Sequence, residues 1–316
     1  MPSDTASAPE RITILDGGTG RELMRAGAPF RQPEWSALAL IEAPEFVTCV
    51  HQAYVEAGAE VITTNSYALV PFHIGPKRFA ADGARLASLA GRLAREVADA
   101  APAKVRVAGS LPPICGSYRA DWFDAAFARP ILEMLVEGLR PSVDHWQAET
   151  LSAIAEAKLV RDVLGDDRRP LWLSFTLTDE RPIAGLPRLR SGEPVGEAVT
   201  AAIGLGASAV LFNCSQPEVM ADAVERARDV LTAARRYGIG GIAIGVYANA
   251  FAPQDSTAEA NSGLSDIRAD LTPTGYLGWA REWVKRGATI LGGCCGIGPE
   301  HIAALRAELA PRVIKT

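Results

Sequence analysis

The sequence predicts a single α/β domain of the (β/α)8 type, a TIM barrel. Short apolar runs alternate with longer stretches of helical periodicity from residue 11 almost to the C-terminus. Eight such runs occur, and most are apolar throughout, as expected for parallel strands that are buried on both faces. A length of 316 residues fits one barrel, and no linker or shift in composition divides the chain. We therefore expect a barrel domain at residues 11–316, preceded by a disordered leader at residues 1–10.

The eight predicted strands are the runs richest in Val, Ile, Leu and aromatic residues. In order they read ITILD, EVITT, VRVAG, VDHWQA, LWLSF, AVLFN, IAIGVY and TIL, at residues 12–16, 60–64, 105–109, 143–148, 171–175, 209–213, 242–247 and 289–291. The segments between them are Ala- and Leu-rich with a helical period. They predict helices that include residues 44–57, 83–100, 130–139, 152–164, 217–235 and 273–286.

A doubly wound open sheet is the main alternative for such alternation. That fold needs a glycine-rich phosphate-binding turn after its first strand. The turn Asp16-Gly17-Gly18-Thr19-Gly20 resembles one, but it lacks the third glycine. No acidic residue closes a second strand where a ribose contact would require it. The barrel is therefore the favoured fold.

Charge and composition argue against several classes of protein. The net charge is −5, and no cluster of Lys and Arg interleaved with aromatic residues marks a nucleic-acid surface. No window has the uninterrupted apolar length of a membrane helix, and the N-terminus lacks the features of a secretory signal. We expect a cytoplasmic protein that binds neither nucleic acid nor membrane, and the sequence leaves an oligomer possible.

In a TIM barrel the active site lies at the C-terminal ends of the strands. Three of the five cysteines fall there, because Cys214 follows the sixth strand and the pair Cys294-Cys295 follows the eighth in a glycine-rich turn. Three thiolates from these neighbouring strands can surround a tetrahedral Zn²⁺ and leave a fourth position open. A vicinal disulfide or a chance placement is the alternative. Cys49 is predicted to be in the core, and Cys115, in a rim loop, is a weaker candidate ligand.

Other polar residues share this rim, and several motifs run through it. In order they are Leu15-Asp16-Gly17-Gly18-Thr19, Trp35-Ser36-Ala37, AGA at 57–59, VITTNSY at 61–67, AGS at 108–110, Glu149-Thr150, Asn213-Cys214 and GGCCG at 292–296. From about residue 11 to residue 310 they resemble the motifs of the homocysteine S-methyltransferases.

The resemblance implies a zinc ion held by Cys214, Cys294 and Cys295, with the homocysteine sulfur as its fourth ligand. Coordination to Zn²⁺ deprotonates a thiol that is mostly protonated at neutral pH, which leaves a reactive sulfur nucleophile. A small sulfonium or betaine donor would then transfer its methyl group to this sulfur and give methionine. The departing group is neutral, and no general base is needed because the metal has already deprotonated the thiol.

The resemblance also assigns the amino-acid end of homocysteine. Asp16 and Glu149 would bind the ammonium, and backbone N–H groups near Gly17 and Gly18 would bind the carboxylate. Thr64 would add a hydroxyl donor. Without the resemblance, a turn-capping role explains Asp16 as well as a binding role does, and a favourable charge at a helix N-terminus explains Glu149 equally well.

Three rim aromatics, Trp35, Tyr67 and Tyr247, could hold a cationic donor by cation–π attraction, although ordinary packing is the alternative. Asn213, beside Cys214, completes the predicted substrate site. The chain departs from its relatives at residues 111–116 and 145–147, which we expect to face the substrate pocket. These departures leave the methyl donor open.

Other functions fit parts of this pattern. Zinc would activate another thiol or a selenol, such as selenocysteine, in the same way. A barrel lyase or aldolase could use Asp16 and Glu149 as acid and base, with structural cysteines. A zinc-binding thiol sensor would hold the metal without turning over a methyl donor.

Overall fold

The computed structural model describes residues 11–180, 186–253 and 266–310. Within these ranges eight parallel strands form a barrel that helices surround, which confirms the predicted fold class. The predicted leader at residues 1–10 lies outside the described residues. The strands are β1 (Thr13–Ile14), β2 (Val61–Thr63), β3 (Arg106–Leu111), β4 (His145–Leu151), β5 (Leu171–Phe175), β6 (Ala209–Asn213), β7 (Ala243–Tyr247) and β8 (Ile290–Leu291).

Each predicted helix is present. The helices are α1 (Thr19–Arg25), α2 (Ser36–Glu42), α3 (Pro44–Glu56), α4 (Pro71–Ile74), α5 (Pro76–Ala100), α6 (Ala125–Leu139), α7 (Ile154–Leu164), α8 (Val195–Gly204), α9 (Pro217–Arg235), α10 (Pro273–Arg286) and α11 (Pro299–Leu309). A short 3₁₀ turn at Ala120–Trp122 precedes α6.

Two helices begin earlier than the sequence predicts. Helix α5 begins at Pro76 rather than residue 83, because a proline at the first helical position loses no intrahelical hydrogen bond. Helix α6 begins at Ala125, and Pro130 lies inside it. The side chain of Asp124 accepts hydrogen bonds from the N–H groups of Ala126 and Phe127, which caps the helix ahead of the proline.

The sheet closes on itself. Its strand order is β1-β8-β7-β6-β5-β4-β3-β2, with every pair parallel. A bridge between Leu15 and Val61 joins the two ends, supported by hydrogen bonds from Asp16 N to Val61 O (3.0 Å) and from Glu60 N to Ile14 O (2.7 Å). A doubly wound sheet has free edges and a reversal of strand order. The open-sheet alternative is therefore excluded.

Apolar side chains fill both sides of the barrel wall. The interior holds Leu15, Val61, Ala108, Trp172, Ala209, Leu211, Tyr247 and Ile290, and a larger cluster separates strands from helices. This two-sided burial explains why the strand runs are largely apolar. The prediction that Cys49 is a core residue is wrong, because Cys49 lies on the exposed face of α3, whose buried side is formed by Val47, Val50, His51 and Tyr54. Among the described residues no helix is long and apolar enough to cross a membrane.

Candidate active site

Three cysteines converge at the C-terminal end of the barrel. The sulfur atoms of Cys214, Cys294 and Cys295 all lie within 4.8 Å of one another, and those of Cys294 and Cys295 are 4.0 Å apart. Four ligands at a Zn–S distance of about 2.3 Å place sulfurs about 3.8 Å apart in a tetrahedron. Within the described ranges, no other set of three or more Cys, His, Asp or Glu brings its ligand atoms this close. The cluster therefore fits a tetrahedral metal ion.

An unusual backbone conformation at Cys214 and close backbone packing before Cys294 position these sulfurs. Cys214 directly follows β6 and has a positive φ of 52°, a conformation that favours glycine. In the turn after β8, a Cβ on Gly292 would lie 2.5 Å from the Leu15 Cβ, and one on Gly293 would lie 2.1 Å from the Ile297 Cγ2. Only glycine fits such close approaches. The glycines thus let Cys294 and Cys295 pack against the end of β1.

The three thiols of this cluster shift one another's pKa values. Hydrogen bonding with Cys214, then with Cys295, raises the pKa of Cys294 well above its usual range, and burial adds to this. Hydrogen bonding with Cys214 and Cys294 holds the pKa of Cys295 well below its usual range, although burial opposes the shift. Thiols this close resist ionising together, because their negative charges repel one another. A divalent cation bound between the sulfurs offsets the repulsion between thiolates and allows all three thiols to ionise.

Two buried carboxylates lie in the same cavity as the thiols. Asp16, which follows β1, accepts hydrogen bonds from the N–H (2.6 Å) and hydroxyl (3.0 Å) of Thr63. Burial raises the pKa of Asp16 to about 7, although the Thr63 bonds oppose the shift. Glu149, in β4, accepts from the Ser110 hydroxyl and from the Tyr247 hydroxyl at 3.3 Å. Burial raises the pKa of Glu149 to about 7 as well.

Neither carboxylate forms an ion pair with a Lys, Arg or His of the described ranges. Burial of an unpaired carboxylate is costly. A cationic ligand group would restore both to the ionised form. The cavity is therefore suited to an ammonium.

The cavity has a volume of about 180 Å³, and nearly all of the predicted site residues line it. Among the predicted residues it is lined by Asp16, Gly17, Gly18, Trp35, Thr64, Tyr67, Glu149, Cys214, Tyr247, Cys294 and Cys295. The N–H of Gly18 donates to the carbonyl of Ile297 (2.9 Å), and the Thr64 hydroxyl is engaged by Ser66 (2.9 Å) and by Ser110 N (3.0 Å). Of the two predicted glycine N–H groups, that of Gly17 is the better placed to meet a carboxylate.

Asn213 does not line the cavity. Its side-chain oxygen accepts from Thr150 N (3.0 Å) and the Ser174 hydroxyl (2.8 Å), and its amide donates to the Thr150 hydroxyl (2.9 Å). Thr150 has a positive φ of 59°. Asn213 therefore holds the backbone and side chain of Thr150, next to Glu149, where the register of β4 shifts.

Further residues line the cavity that the motifs did not single out as binding groups: Arg21, Tyr118, Gln147, Thr150 and Phe251. Of the departure at residues 145–147, Gln147 lines the cavity as expected, whereas His145 and Trp146 do not. Gln147 is 1% exposed and donates to the Tyr247 hydroxyl (3.2 Å), and its Oε1 has no hydrogen-bond partner among the described residues. The Tyr118 hydroxyl lies 2.9 Å from the sulfur of Cys214. Tyr118 belongs to a long loop after β3, where no periodic pattern could identify it.

The loop at residues 111–116 does not line the cavity, contrary to expectation. Cys115 within it interacts with the backbone of Asp124, whose N–H lies 3.4 Å from the sulfur. Cys115 stands apart from the three-cysteine cluster. The loop instead supports the start of α6.

Comparison with known proteins gives consistent matches along the chain. The family model described as Homocysteine S-methyltransferase matches residues 13–309. Homocysteine S-methyltransferase of Escherichia coli (strain K12) is 29% identical, over 94% of this chain and 95% of its own. Selenocysteine methyltransferase of Astragalus bisulcatus is 24% identical, over 93% and 91%. The metallated form of the homocysteine methyltransferase MmuM from Escherichia coli superposes with a TM-score of 0.70 at 28% identity, covering 94% of this chain and 96% of that one.

Proposed function

The chain belongs to the homocysteine S-methyltransferase family, and from this premise we propose how its site works. It is a metal-dependent enzyme that transfers a methyl group to the sulfur of homocysteine. We propose Zn²⁺ as the metal and a small sulfonium or betaine as the donor. The observation that carries the proposal is the convergence of three cysteine sulfurs, within 4.8 Å of one another, beside two buried carboxylates in one cavity.

Cys214, Cys294 and Cys295 would hold the zinc ion. Three sulfur donors suit Zn²⁺, whereas Mg²⁺ and Ca²⁺ prefer oxygen. A zinc ion held by these cysteines would supply a Lewis acid with a position open to the homocysteine sulfur, and would keep that sulfur deprotonated at neutral pH. The site therefore needs no side chain that abstracts a proton from the acceptor.

The protein's own residues orient the acceptor. Asp16 and Glu149 bind the ammonium of homocysteine, and their ionisation is favoured by its positive charge. Gln147 donates to the Tyr247 hydroxyl, which donates to Glu149, and this chain holds the Glu149 carboxylate in place. The N–H of Gly17 meets the carboxylate. These contacts fix one end of the substrate, so that its sulfur points towards the cysteines.

The donor occupies the aromatic part of the cavity. Trp35, Tyr67 and Tyr247 line it, and the faces of such rings attract a sulfonium or quaternary ammonium. The charge of the donor disappears as the methyl group leaves. Aromatic faces therefore bind the donor more strongly than the neutral product, which favours product release.

A turnover assay with a metal measurement tests this function. The purified chain is expected to contain about one zinc per chain and to form methionine from homocysteine with at least one of S-methylmethionine, S-adenosylmethionine and betaine. Chelation should abolish the activity, and added Zn²⁺ should restore it. Selenocysteine as acceptor tests the alternative that the Astragalus relative suggests. Full methionine formation after chelation would contradict the zinc mechanism, and zinc binding without turnover of any donor would favour a thiol sensor.

A further inference from the structure

We infer that Tyr118 is a positioning residue for the metal site: its hydroxyl donates a hydrogen bond to the sulfur of Cys214 and strengthens zinc binding. The Tyr118 oxygen lies 2.9 Å from the Cys214 sulfur and 3.2 Å from the Cys214 carbonyl oxygen. The side chain is 7% exposed and lines the cavity. The inference rests on the proposed zinc site and adds a residue to it.

The chemistry fixes the direction of this hydrogen bond. A cysteine that binds metal is a thiolate, which has no proton to donate, whereas a tyrosine hydroxyl has one. Of the two acceptors within reach of Tyr118, the charged sulfur is the stronger. Three thiolates around one divalent cation carry a net negative charge, and a donated hydrogen bond disperses part of it. Such contacts to ligand atoms commonly tune the affinity of metal sites.

The surroundings hold Tyr118 in place. Its φ is 68°, a strained value for a residue with a side chain, so neighbouring groups must maintain it. The guanidinium of Arg190 lies 4.5 Å from the centre of its ring. Arg190 pairs with Asp179 at 2.9 Å, and both side chains are almost fully buried, at 3% and 2% exposure.

The same ion pair also reaches the backbone beyond Cys214. Asp179 accepts a hydrogen bond from the N–H of Gln216 at 3.0 Å, two residues after the ligand. Cys214 itself has a φ of 52°. The ligand is therefore supported from two sides, by Tyr118 at its sulfur and by Asp179 through the following residues. Only the first of these contacts touches the sulfur.

Removal of the hydroxyl tests this role. The full-length Tyr118→Phe protein is expected to bind zinc about 10- to 100-fold more weakly than the wild type in competition with a chromophoric chelator. With Co²⁺ in place of zinc, its sulfur-to-metal charge-transfer band should move to lower energy, because a thiolate that loses a hydrogen bond gives up its electrons more readily. Tyr247→Phe is the matched control: it removes a buried hydroxyl in the same cavity that contacts Glu149 instead of sulfur.

The outcomes separate this inference from the proposed function. A wild-type protein that binds no zinc would overturn the proposed site itself. A wild type that binds zinc, with the same affinity and the same Co²⁺ band in Tyr118→Phe, would overturn only the role of Tyr118. Equal effects of Tyr118→Phe and Tyr247→Phe would also contradict it.

A second variant covers the case in which Tyr118→Phe fails to fold, as judged by the unfolding midpoint of the metal-free chain. Replacement of Tyr118 by 3-fluorotyrosine keeps the shape and the hydroxyl but makes the O–H a stronger donor. The Co²⁺ band is then expected to move to higher energy than in the wild type. An unchanged band would refute the hydrogen bond to Cys214.

Discussion

The ionisation of the buried acidic side chains in this cavity depends on a cationic ligand. Asp16 and Glu149 have pKa values raised by burial to about 7, so each is only partly ionised at neutral pH without a ligand. A bound ammonium would complete their ionisation, and a metal would do the same for the thiols. Substrate and metal thus each supply the charge that the cavity lacks.

The role of Glu149 can be tested with a substrate that lacks the ammonium. Glu149→Ala should lower kcat/KM for homocysteine by about 10- to 100-fold, as expected when a charged hydrogen bond is lost. The loss should be much smaller with 4-sulfanylbutanoate, which has the thiol and the carboxylate but no amino group. Zinc content should stay near that of the wild type.

Glu156→Gln is the control, because it changes a buried carboxylate that does not line the cavity. It should leave the preference for homocysteine unchanged. Equal losses for the two acceptors in Glu149→Ala, or a parallel loss of zinc, would contradict the assignment of Glu149 to the ammonium.

At the residue scale the sequence predicted most of the candidate residues that meet in one cavity, but not the contacts that support them. Cys214, Asp16 and Glu149 follow from the rule that barrel sites lie at strand ends, together with the family motifs. Tyr118 could not be predicted, because it is 96 positions from Cys214 in the chain and meets it only through the closed barrel. That Asn213 contacts Thr150 and Ser174 instead of the cavity could not be predicted either, since its motif position gave no direction for its side chain.

At the scale of elements, strand positions were predicted better than helix starts. A strand run is defined by burial on both faces, which the sequence displays directly. A helix start depends on local hydrogen bonds, such as the Asp124 cap that moves α6 forward of Pro130. Helix α7 depends on another such contact, because Glu156 accepts hydrogen bonds from the N–H groups of Ser152 (2.6 Å) and Ala153 (2.9 Å).

The buried Glu156 predicts a pH-dependent stability for this element. Burial raises the pKa of Glu156 to about 7, above an ordinary value of about 4.3. A raised carboxyl pKa favours folding below the ordinary value, and that contribution is lost as the pH rises through 7. The stability of Glu156→Gln relative to the wild type should therefore increase by about 2 kcal/mol from pH 5 to pH 8. Urea unfolding of both metal-free proteins at the two pH values measures this.

Glu197→Gln provides the matched control. Glu197 occupies the same third position, in the first turn of α8, but it is exposed. Its replacement should change stability by nearly the same small amount at both pH values. A difference between Glu156→Gln and the wild type that does not vary with pH would show that burial of the carboxylate has no such cost.

At the scale of the whole molecule, the order of the strands brings the proposed metal ligands together. Cys214 follows β6, and Cys294 and Cys295 follow β8, with only β7 between them. The bridge between Leu15 and Val61 completes the ring, and the glycine turn after β8 packs against the end of β1. The strand pattern predicted this arrangement, because parallel strands in a closed ring place their C-terminal ends at one rim.

X-ray absorption at the zinc edge tests the central claim most directly. The zinc-loaded protein should show three sulfur neighbours at about 2.3 Å, and a fourth should appear when homocysteine is added. Cys294→Ser should lose the metal while keeping the fold, since the site is at the rim and outside the core. Fewer than three sulfur neighbours in the loaded protein, or a sulfur count that homocysteine does not change, would contradict the account.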